Sequence, residues 1–241
     1  MFASLFACFL LIALTAASTS DKYKCANSTI CDSLCMEVVK KFEKDYSHGW
    51  AVRHNSIGQF FKKFECKTVV EIGIARGELS HYLLTHAPMI DNYNAVDPFI
   101  GGYDDANDSM SVELKQANLS TTWAHAILHK MRDFGCRFKL HHGMSDQMVS
   151  HFLPNSVDCI FIDGDHRYEA VRQDIQIWEP IVKPGGVFFF DDYSWNFKGV
   201  IKAVDEFVDN NHLEFQKVNR HNNYFVMKPV DRPLNMTFWN V

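Results

Sequence analysis

Two stretches of the sequence decide the fold: Val157-Asp-Cys-Ile-Phe-Ile-Asp163-Gly-Asp165 and Gly185-Gly-Val-Phe-Phe-Phe-Asp191-Asp192. Each is an apolar run that ends abruptly in two carboxylates. Continuous apolar runs of this length are typical of strands that are buried on both faces of a parallel sheet. If the two strands are parallel neighbours, their four aspartates meet at one edge of that sheet.

Four carboxyl groups at one edge repel one another, so one of them must hold a proton or a cation must lie among them. Carboxylate oxygens suit hard cations such as Mg²⁺, Ca²⁺ and Mn²⁺. Open α/β sheets bind their ligands just outside the carboxyl ends of the strands. The two stretches therefore predict a divalent-metal site, with Mg²⁺ as the expected ion, beside a ligand pocket.

Strands and helices alternate along the rest of the chain. Strands are predicted at residues 68–74, 93–96, 138–141, 157–162, 187–190, 213–218 and 224–227. Apolar stripes at helical spacing separate them, and one such stripe ends at a Pro-Gly-Gly sequence. The predicted fold is α/β, with a Rossmann-like, doubly wound, mostly parallel seven-stranded sheet and a C-terminal antiparallel hairpin strand.

Composition limits the possible partners. The chain has 241 residues, of which 47% are hydrophobic, which is enough for a sizeable core. Its net charge is −5, so the chain lacks the excess of basic residues that is typical of nucleic-acid-binding proteins. No nucleic-acid partner is therefore expected, and the oligomeric state stays open.

The N-terminus predicts entry into the secretory pathway. Residues 1–17 are nearly all apolar and are followed by small residues, as in a secretory signal, although no Lys or Arg precedes them. They are too few for a comfortable membrane span, and an uncleaved signal anchor remains the alternative. Residues 18–66 are predicted as an N-terminal helical cap and residues 67–241 as the main domain. The expected location is the ER or Golgi lumen or the extracellular space.

Cysteines and sequons agree with that location. Removal of the signal leaves an even set of six cysteines, and an oxidising compartment permits them to form disulfides. Cys25, Cys31 and Cys35 are expected to staple the new N-terminus, whereas Cys159 is expected as a buried free thiol within its strand. Glycosylation sequons begin at Asn27, Asn107, Asn118 and Asn235.

A second group of residues predicts a nucleoside site. The first strand leads into Glu71-Ile-Gly73-Ile-Ala-Arg-Gly77, where the glycines let the backbone approach a ligand. The second strand ends in Asp97, an acid placed to bind ribose hydroxyls. The third strand is followed by Ser145-Asp146, which could frame an adenine. The spacing differs from the dinucleotide fingerprint because Ala75 holds the middle glycine position.

In this order the motifs resemble those of class I S-adenosylmethionine (SAM) methyltransferases. They are most similar to the metal-dependent O-methyltransferases of the macrocin type, which modify sugar hydroxyls, and the resemblance covers residues 69–227. It implies Glu71, Gly73, Gly77, Asp97, Ser145 and Asp146 as SAM-binding residues, Asp163, Asp191 and Asp192 as metal ligands, and Asp165 as the general base. His166 and Arg167 lie where catechol-type relatives have a lysine base.

Other interpretations stay open at this point. Asp165, Ser145 and Asp146 could cap helices, because Asp and Ser favour helix N-termini. Tyr193 and Trp195 could wall an acceptor pocket or pack beneath a loop. The rival functions are a metal-dependent glycosyltransferase with an Asp-x-Asp motif, an oxidative enzyme on the same scaffold, and a secreted protein that keeps the fold without turnover.

Overall fold

The computed structural model describes residues 24–26, 31–44, 48–101, 119–218 and 222–240. The predicted signal and the sequons at Asn27, Asn107 and Asn118 lie outside these residues. Among the described residues, no helix has both the length and the apolar character that crossing a membrane requires.

The described part of the chain forms one eight-stranded sheet with helices on both faces. The strands are β1 (Lys24–Cys25), β2 (Thr68–Ile72), β3 (Asn92–Asp97), β4 (Phe138–His142), β5 (Val157–Ile162), β6 (Val182–Phe190), β7 (Phe215–Lys217) and β8 (Tyr224–Met227). The helices are α1 (Ser33–Lys44), α2 (His48–Lys63), α3 (Glu78–His86), α4 (Ser120–Lys130), α5 (Ser145–Met148), α6 (Tyr168–Trp178) and α7 (Lys198–Asn211).

The strand order is β1-β4-β3-β2-β5-β6-β8-β7. The five central strands run parallel, whereas β8 pairs antiparallel with both β6 and β7. The predicted doubly wound sheet and its antiparallel hairpin are therefore confirmed. All seven predicted strands are present, and the eighth, β1, pairs antiparallel with β4 at one edge. Two residues carry no readable periodicity, so β1 could not be predicted from the sequence.

The central strands are apolar throughout because helices cover both faces of the sheet. On one face, Val69 and Phe161 share a core with residues of α1 to α4. On the other face, Ile160 and Phe190 share a core with residues of α6 and α7. The N-terminal helices therefore contribute to the core of the main sheet, and they lie over the same face as Glu71.

The first two helices, α1 and α2, bury most of their apolar side chains against the sheet. Phe42 and Phe61 are fully buried, and the Phe61 ring stacks on Phe189 of β6 at 4.7 Å between centroids. Leu34 is an exception, because it is 47% exposed. Burial of a phenylalanine side chain is worth about 1.5–3 kcal/mol, so these contacts anchor α2 firmly on the sheet.

Three disulfides join the described cysteines: Cys25–Cys136, Cys31–Cys35 and Cys66–Cys159. The prediction of a free thiol at Cys159 is therefore wrong. Its strand position is buried, as expected, but the end of α2 brings Cys66 against it. Sequence periodicity could show that Cys159 is buried and could not show its partner, which is 93 residues away.

Candidate active site

Two groups of polar residues lie at the carboxyl edge of the parallel strands. We call them the nucleoside group, which comprises the glycine turn, Asp97, Ser145 and Asp174, and the acidic group, which comprises Asp163, Asp165, His166, Asp191 and Asp192. Backbone hydrogen bonds continue the strand pairing beyond the strand ends: the Gly73 amide donates to Val96 O at 3.0 Å, Asp163 N to Ile72 O at 2.9 Å, and Asp191 N to Ile162 O at 3.1 Å. These bonds place the glycine turn and two of the predicted acids side by side.

The glycine turn after β2 has a backbone that favours glycine. Gly73 and Gly77 have φ values of 81° and 70°, in the left-handed region. A Cβ atom at Gly73 would lie 2.1 Å from the carbonyl oxygen of Asp163. Gly73 therefore permits the turn to pack directly against the loop that carries Asp163, an internal contact that the sequence did not predict.

Asp97 holds this turn in place through backbone hydrogen bonds. Its Oδ2 accepts from the amides of Ile74 at 2.9 Å and Ala75 at 3.1 Å, and its Oδ1 accepts from the amide of Phe99 at 2.7 Å. Burial raises the pKa of Asp97 to about 6, and these three bonds oppose that rise. A carboxylate has about four acceptor positions, so roughly one is left for a ligand hydroxyl.

Glu71 lies beneath the same turn but points into the core. It is buried, and its Oε2 accepts a hydrogen bond from the Tyr93 hydroxyl at 2.8 Å. Burial raises the pKa of Glu71 well above its ordinary value, although the bond from Tyr93 opposes this. The Glu71 carboxyl is therefore engaged by Tyr93 inside the protein.

The Ser145 hydroxyl is engaged within the protein. Its Oγ accepts from Trp178 Nε1 at 2.7 Å, and it hydrogen-bonds the carboxyl of Asp174. Burial raises the pKa of Asp174 to about 7. Asp146 is exposed at the start of α5. Asp174 was not predicted as a site residue, because in sequence it is one polar position on an amphipathic helix.

The second group consists of the acids that follow β5 and β6. Asp163 Oδ1 lies 3.9 Å from His166 Nε2, and Asp192 Oδ2 lies 3.2 Å from the same nitrogen. Donor atoms of these three residues all lie within 4.8 Å of one another, so together they could hold a metal ion. Burial raises the pKa of Asp163, and the nearby His166 and Arg53 oppose that rise.

Asp191 is engaged differently from the predicted arrangement. Its Oδ1 accepts from the Asp192 amide at 2.8 Å and from the Asn223 side chain, and its Oδ2 forms an ion pair with Arg53. Among the described residues, the group that could hold a metal contains His166 and does not contain Asp191. Asp192, the residue after Asp191, has a φ of 52°, a left-handed conformation that Asp tolerates better than most residues.

Asp165 is held by its neighbour Arg167. The Arg167 Nε lies 3.0 and 2.9 Å from the two carboxylate oxygens, and the Arg167 amide donates to Oδ1 at 3.0 Å. Asp165 also acts electrostatically on Asp174, which raises the pKa of that carboxyl. Asp165 follows Asp163 by two residues and is close enough to Asp174 to influence its charge.

Two open interpretations are resolved by packing. The Tyr193 ring packs against Phe215 and Tyr224, and its hydroxyl donates to Asp205 at 2.5 Å, so it lies within the fold. Trp195 is 79% exposed, beside the second group in sequence. Trp195 is thus accessible at the surface, whereas the half-buried Tyr193 is engaged by contacts within the protein.

Sequence reasoning did not identify Arg53 and Asn223. Both are buried, with exposures of 6% and 0%. An arginine in an amphipathic helix and an asparagine in a turn are ordinary in sequence. No spacing relates either of them to the acids that they contact.

Comparisons with known proteins agree with this architecture. A family model described as "Methyltransferase domain" matches residues 70–193, just over half of the chain. The chain belongs to this methyltransferase-domain family. The match favours the methyltransferase prediction over the glycosyltransferase alternative, and it contains the glycine turn, Asp97 and the acids that follow β5 and β6.

Solved structures resemble the methyltransferase in fold. PaMTH1, a methyltransferase of Podospora anserina solved bound to SAH, superposes with a TM-score of 0.55 at 10% identity, covering 83% of this chain and 89% of its own. The O-methyltransferase NovP superposes with a TM-score of 0.54 at 19% identity, covering 73% and 79% of the two chains.

A curated sequence relative adds a shorter match. The uncharacterized protein R132 of Acanthamoeba polyphaga mimivirus is 42% identical over 59 residues. The match spans 23% of this methyltransferase and about a quarter, 26%, of the viral protein.

Proposed function

We propose that this protein transfers a methyl group from SAM to a hydroxyl oxygen of a small molecule or glycan, with a divalent cation at the acidic group. One observation carries the proposal. Within a methyltransferase domain, the glycine turn with Asp97 and the acids after β5 and β6 lie along the same sheet edge, joined by the contact of Gly73 with Asp163.

The residues around the turn fit SAM. The unused acceptor position of Asp97 suits a ribose hydroxyl, and the turn of residues 73–77 offers backbone to the methionine part. Ser145 and Asp146 remain the proposed neighbours of the adenine, with the Ser145 backbone instead of its engaged hydroxyl. When bound, SAM supplies an activated sulfonium methyl, so the protein must only align and activate the acceptor oxygen.

The acidic group fits a divalent cation, because two carboxylates and an imidazole are common metal ligands and lie within 4.8 Å of one another. When bound, such an ion lowers the pKa of the acceptor hydroxyl. Asp165 is proposed to accept the acceptor's proton. Its pairing with Arg167 fixes the carboxylate orientation, and alignment of reacting groups is a major source of rate.

A glycan acceptor in the secretory pathway is the proposed setting. Three disulfides support an oxidising compartment. The exposed Trp195 supports a ring-shaped acceptor, because an aromatic face provides contact area against the apolar face of a sugar.

The direct test of cofactor choice is calorimetry with SAH and with UDP, each in the presence and absence of Mn²⁺ or Mg²⁺. We expect SAH to bind and UDP to give no heat. Binding of UDP instead of SAH would contradict the proposal and support the glycosyltransferase alternative.

The acceptor is tested with methyl-labelled SAM and a panel of free sugars, glycosides and catechols. Label in a sugar product that chemical analysis identifies as a methyl ether supports the glycan acceptor. SAH binding without label in any acceptor would support a protein that keeps the fold without turnover.

A further inference from the structure

Arg53 brings a permanent positive charge into the acidic group from outside the matched domain. It lies on α2, 110 residues before Asp163 in the chain, and its side chain is only 7% exposed. Its Nη2 is 3.2 Å from Asp163 Oδ2 and forms an ion pair with Asp191 Oδ2. The guanidinium carbon lies 5.7 Å from the centroid of the Phe161 ring. Arg53 is therefore held in place by packing as well as by charge.

Asp191 is satisfied by protein donors on both oxygens. Arg53 contacts Oδ2, while the Asp192 amide and the Asn223 side chain donate to Oδ1. Asn223 is completely buried, so these donors do not exchange freely with water. Recruitment of Asp191 by a metal ion would have to break a buried, charge-assisted contact, which is costly.

The three remaining donor atoms have the spacing of metal ligands. Asp192 Oδ2 and His166 Nε2 are 3.2 Å apart, and Asp163 Oδ1 lies 3.9 Å from that nitrogen. In an octahedral site with bonds of about 2.1 Å, adjacent ligand atoms lie roughly 3 Å apart. The His166 ring is supported by Phe197, with 4.4 Å between centroids. His166 therefore occupies a ligand position that the three-aspartate prediction assigned to Asp191.

Charge balance points the same way. Asp163, Asp191 and Asp192 together carry three negative charges when ionised, and Arg53 carries one positive charge. The carboxylates therefore outnumber the single arginine charge among them, and a divalent cation would offset the excess. Asp165 is already paired with Arg167.

We propose that Asp163, His166 and Asp192 hold the divalent cation, that Arg53 keeps Asp191 out of the ligand set, and that the site prefers an ion that accepts nitrogen, such as Mn²⁺, to Mg²⁺. This rests on the proposed function for the presence of a metal and concerns which residues hold it. Imidazole suits later first-row ions, whereas Mg²⁺ favours an all-oxygen shell.

Pulsed electron paramagnetic resonance of the Mn²⁺-loaded protein tests the ligand directly, because an imidazole ligand imposes ¹⁴N modulation on the Mn²⁺ signal. We expect that modulation in the wild type and its loss in His166→Ala. The control is His86→Ala, an exposed histidine at the end of α3, which keeps the modulation. Absence of ¹⁴N modulation from Mn²⁺-loaded wild type would overturn the proposal.

Calorimetric titration separates the two ligand sets. We expect Mn²⁺ to bind about tenfold or more tightly than Mg²⁺. Asp163→Asn and His166→Ala should each weaken Mn²⁺ binding by about tenfold or more. Asp191→Asn should change it by less than about threefold. Equal losses in Asp163→Asn and Asp191→Asn would overturn the proposal in favour of three aspartate ligands.

The double variant Arg53→Met with Asp191→Asn guards against misfolding, because it removes both members of the buried pair. It should retain wild-type Mn²⁺ affinity, and loss of that affinity in the folded double variant would overturn the proposal.

SAH calorimetry on the same preparations distinguishes the metal-site proposal from the proposed function. SAH binding without Mn²⁺ binding overturns the metal site alone, whereas loss of both overturns the methyltransferase function as well.

Discussion

The two groups at the sheet edge differ in what satisfies their acids. In the nucleoside group, Asp97 accepts hydrogen bonds from three backbone amides and Asp174 accepts one from Ser145, so the donors to both carboxyl groups are neutral. In the acidic group, Asp163 and Asp191 contact Arg53, and Asp165 contacts Arg167. Burial consequently raises the pKa of Asp97 to about 6 and that of Asp174 to about 7.

This difference coincides with the proposed division of labour, in which the nucleoside group binds SAM and the acidic group takes part in catalysis. The donors to Asp97 are backbone amides, and the contacts of the nucleoside group all lie within the matched residues 70–193. The acidic group depends on Arg53 and Asn223, which both lie outside the matched residues 70–193. Elements added around a shared domain thus shape the part of the site where specificity and catalysis are expected.

The largest effect is expected at Asp165, which follows Asp163 by two residues in the acidic group. Asp165→Asn should slow methyl transfer by about 10²–10⁴-fold, because it removes the proposed general base. SAH and Mn²⁺ affinity should stay near wild type. Single-turnover transfer of labelled methyl measures the rate, and Glu169→Gln on the exposed start of α6 is the control. An unchanged rate would remove Asp165 from the mechanism.

Arg53→Met tests the charged half of the comparison. It leaves Asp163 and Asp191 buried without their cation, and loss of one member of a buried pair costs about 3–5 kcal/mol. Urea unfolding measures the change in free energy of unfolding. Arg132→Met, at a side chain that is 52% exposed, should change it by less than about 0.5 kcal/mol. Equal changes in the free energy of unfolding for the two variants would show that the ion pairs of Arg53 do not stabilise the fold.

The pH dependence of SAH binding tests the role of Asp97 in the nucleoside group, where the hydrogen-bond donors are neutral. Its pKa is raised to about 6, so the ionised form that accepts a ribose hydroxyl is lost as the pH falls through 6. SAH affinity should then fall by about tenfold per pH unit below that value. Asp97→Asn should bind SAH more weakly at pH 7.5 and show a flat profile between pH 5 and 7. The same slope in Asp97→Asn would assign the titration to another group.

The smallest effect is expected at Asp174, where the pKa in the folded protein is raised from 3.8 to about 7. The folded state then binds a proton that the unfolded state has released, so the stability contributed by this group is complete below about pH 4 and decreases up to about pH 7. Asp174→Asn mimics the protonated acid. Relative to wild type it should gain about 1–3 kcal/mol between pH 4 and 8.

Urea unfolding at pH 4.5, 6 and 8 measures this gain. Asp133→Asn is the control, since that side chain is 83% exposed. A constant difference between Asp174→Asn and wild type at all three pH values would mean that Asp174 does not titrate in this range.

Much of the fold was predictable because it follows local patterns. The apolar runs of β5 and β6, and the acids that end them, required no knowledge of distant residues. The glycine turn and Asp97 were recognised as neighbours for the same reason. The two-residue β1 was missed because it is too short to show a pattern. The disulfide partner of Cys159 was missed because pairing depends on where α2 ends.

The acidic site was predictable only in part. Asp163 and Asp192 were identified from their positions at strand ends, and the structure groups them with His166. The ion pair of Asp191 was not predicted, because a helical arginine shows no sign of which carboxylate it contacts. His166 was noted only as a neighbour of the site, since the ring direction of a loop histidine depends on packing such as that against Phe197.

The order of strands and helices, the edge where ligands bind and the identity of the acids there were determined by the sequence alone. They follow from backbone geometry and the burial of apolar side chains, which repeat at short intervals along a chain. The tertiary structure decided which of these acids contact Arg53 and which lie beside His166. That choice depends on contacts between residues about a hundred positions apart, and such contacts leave no periodic trace in the sequence.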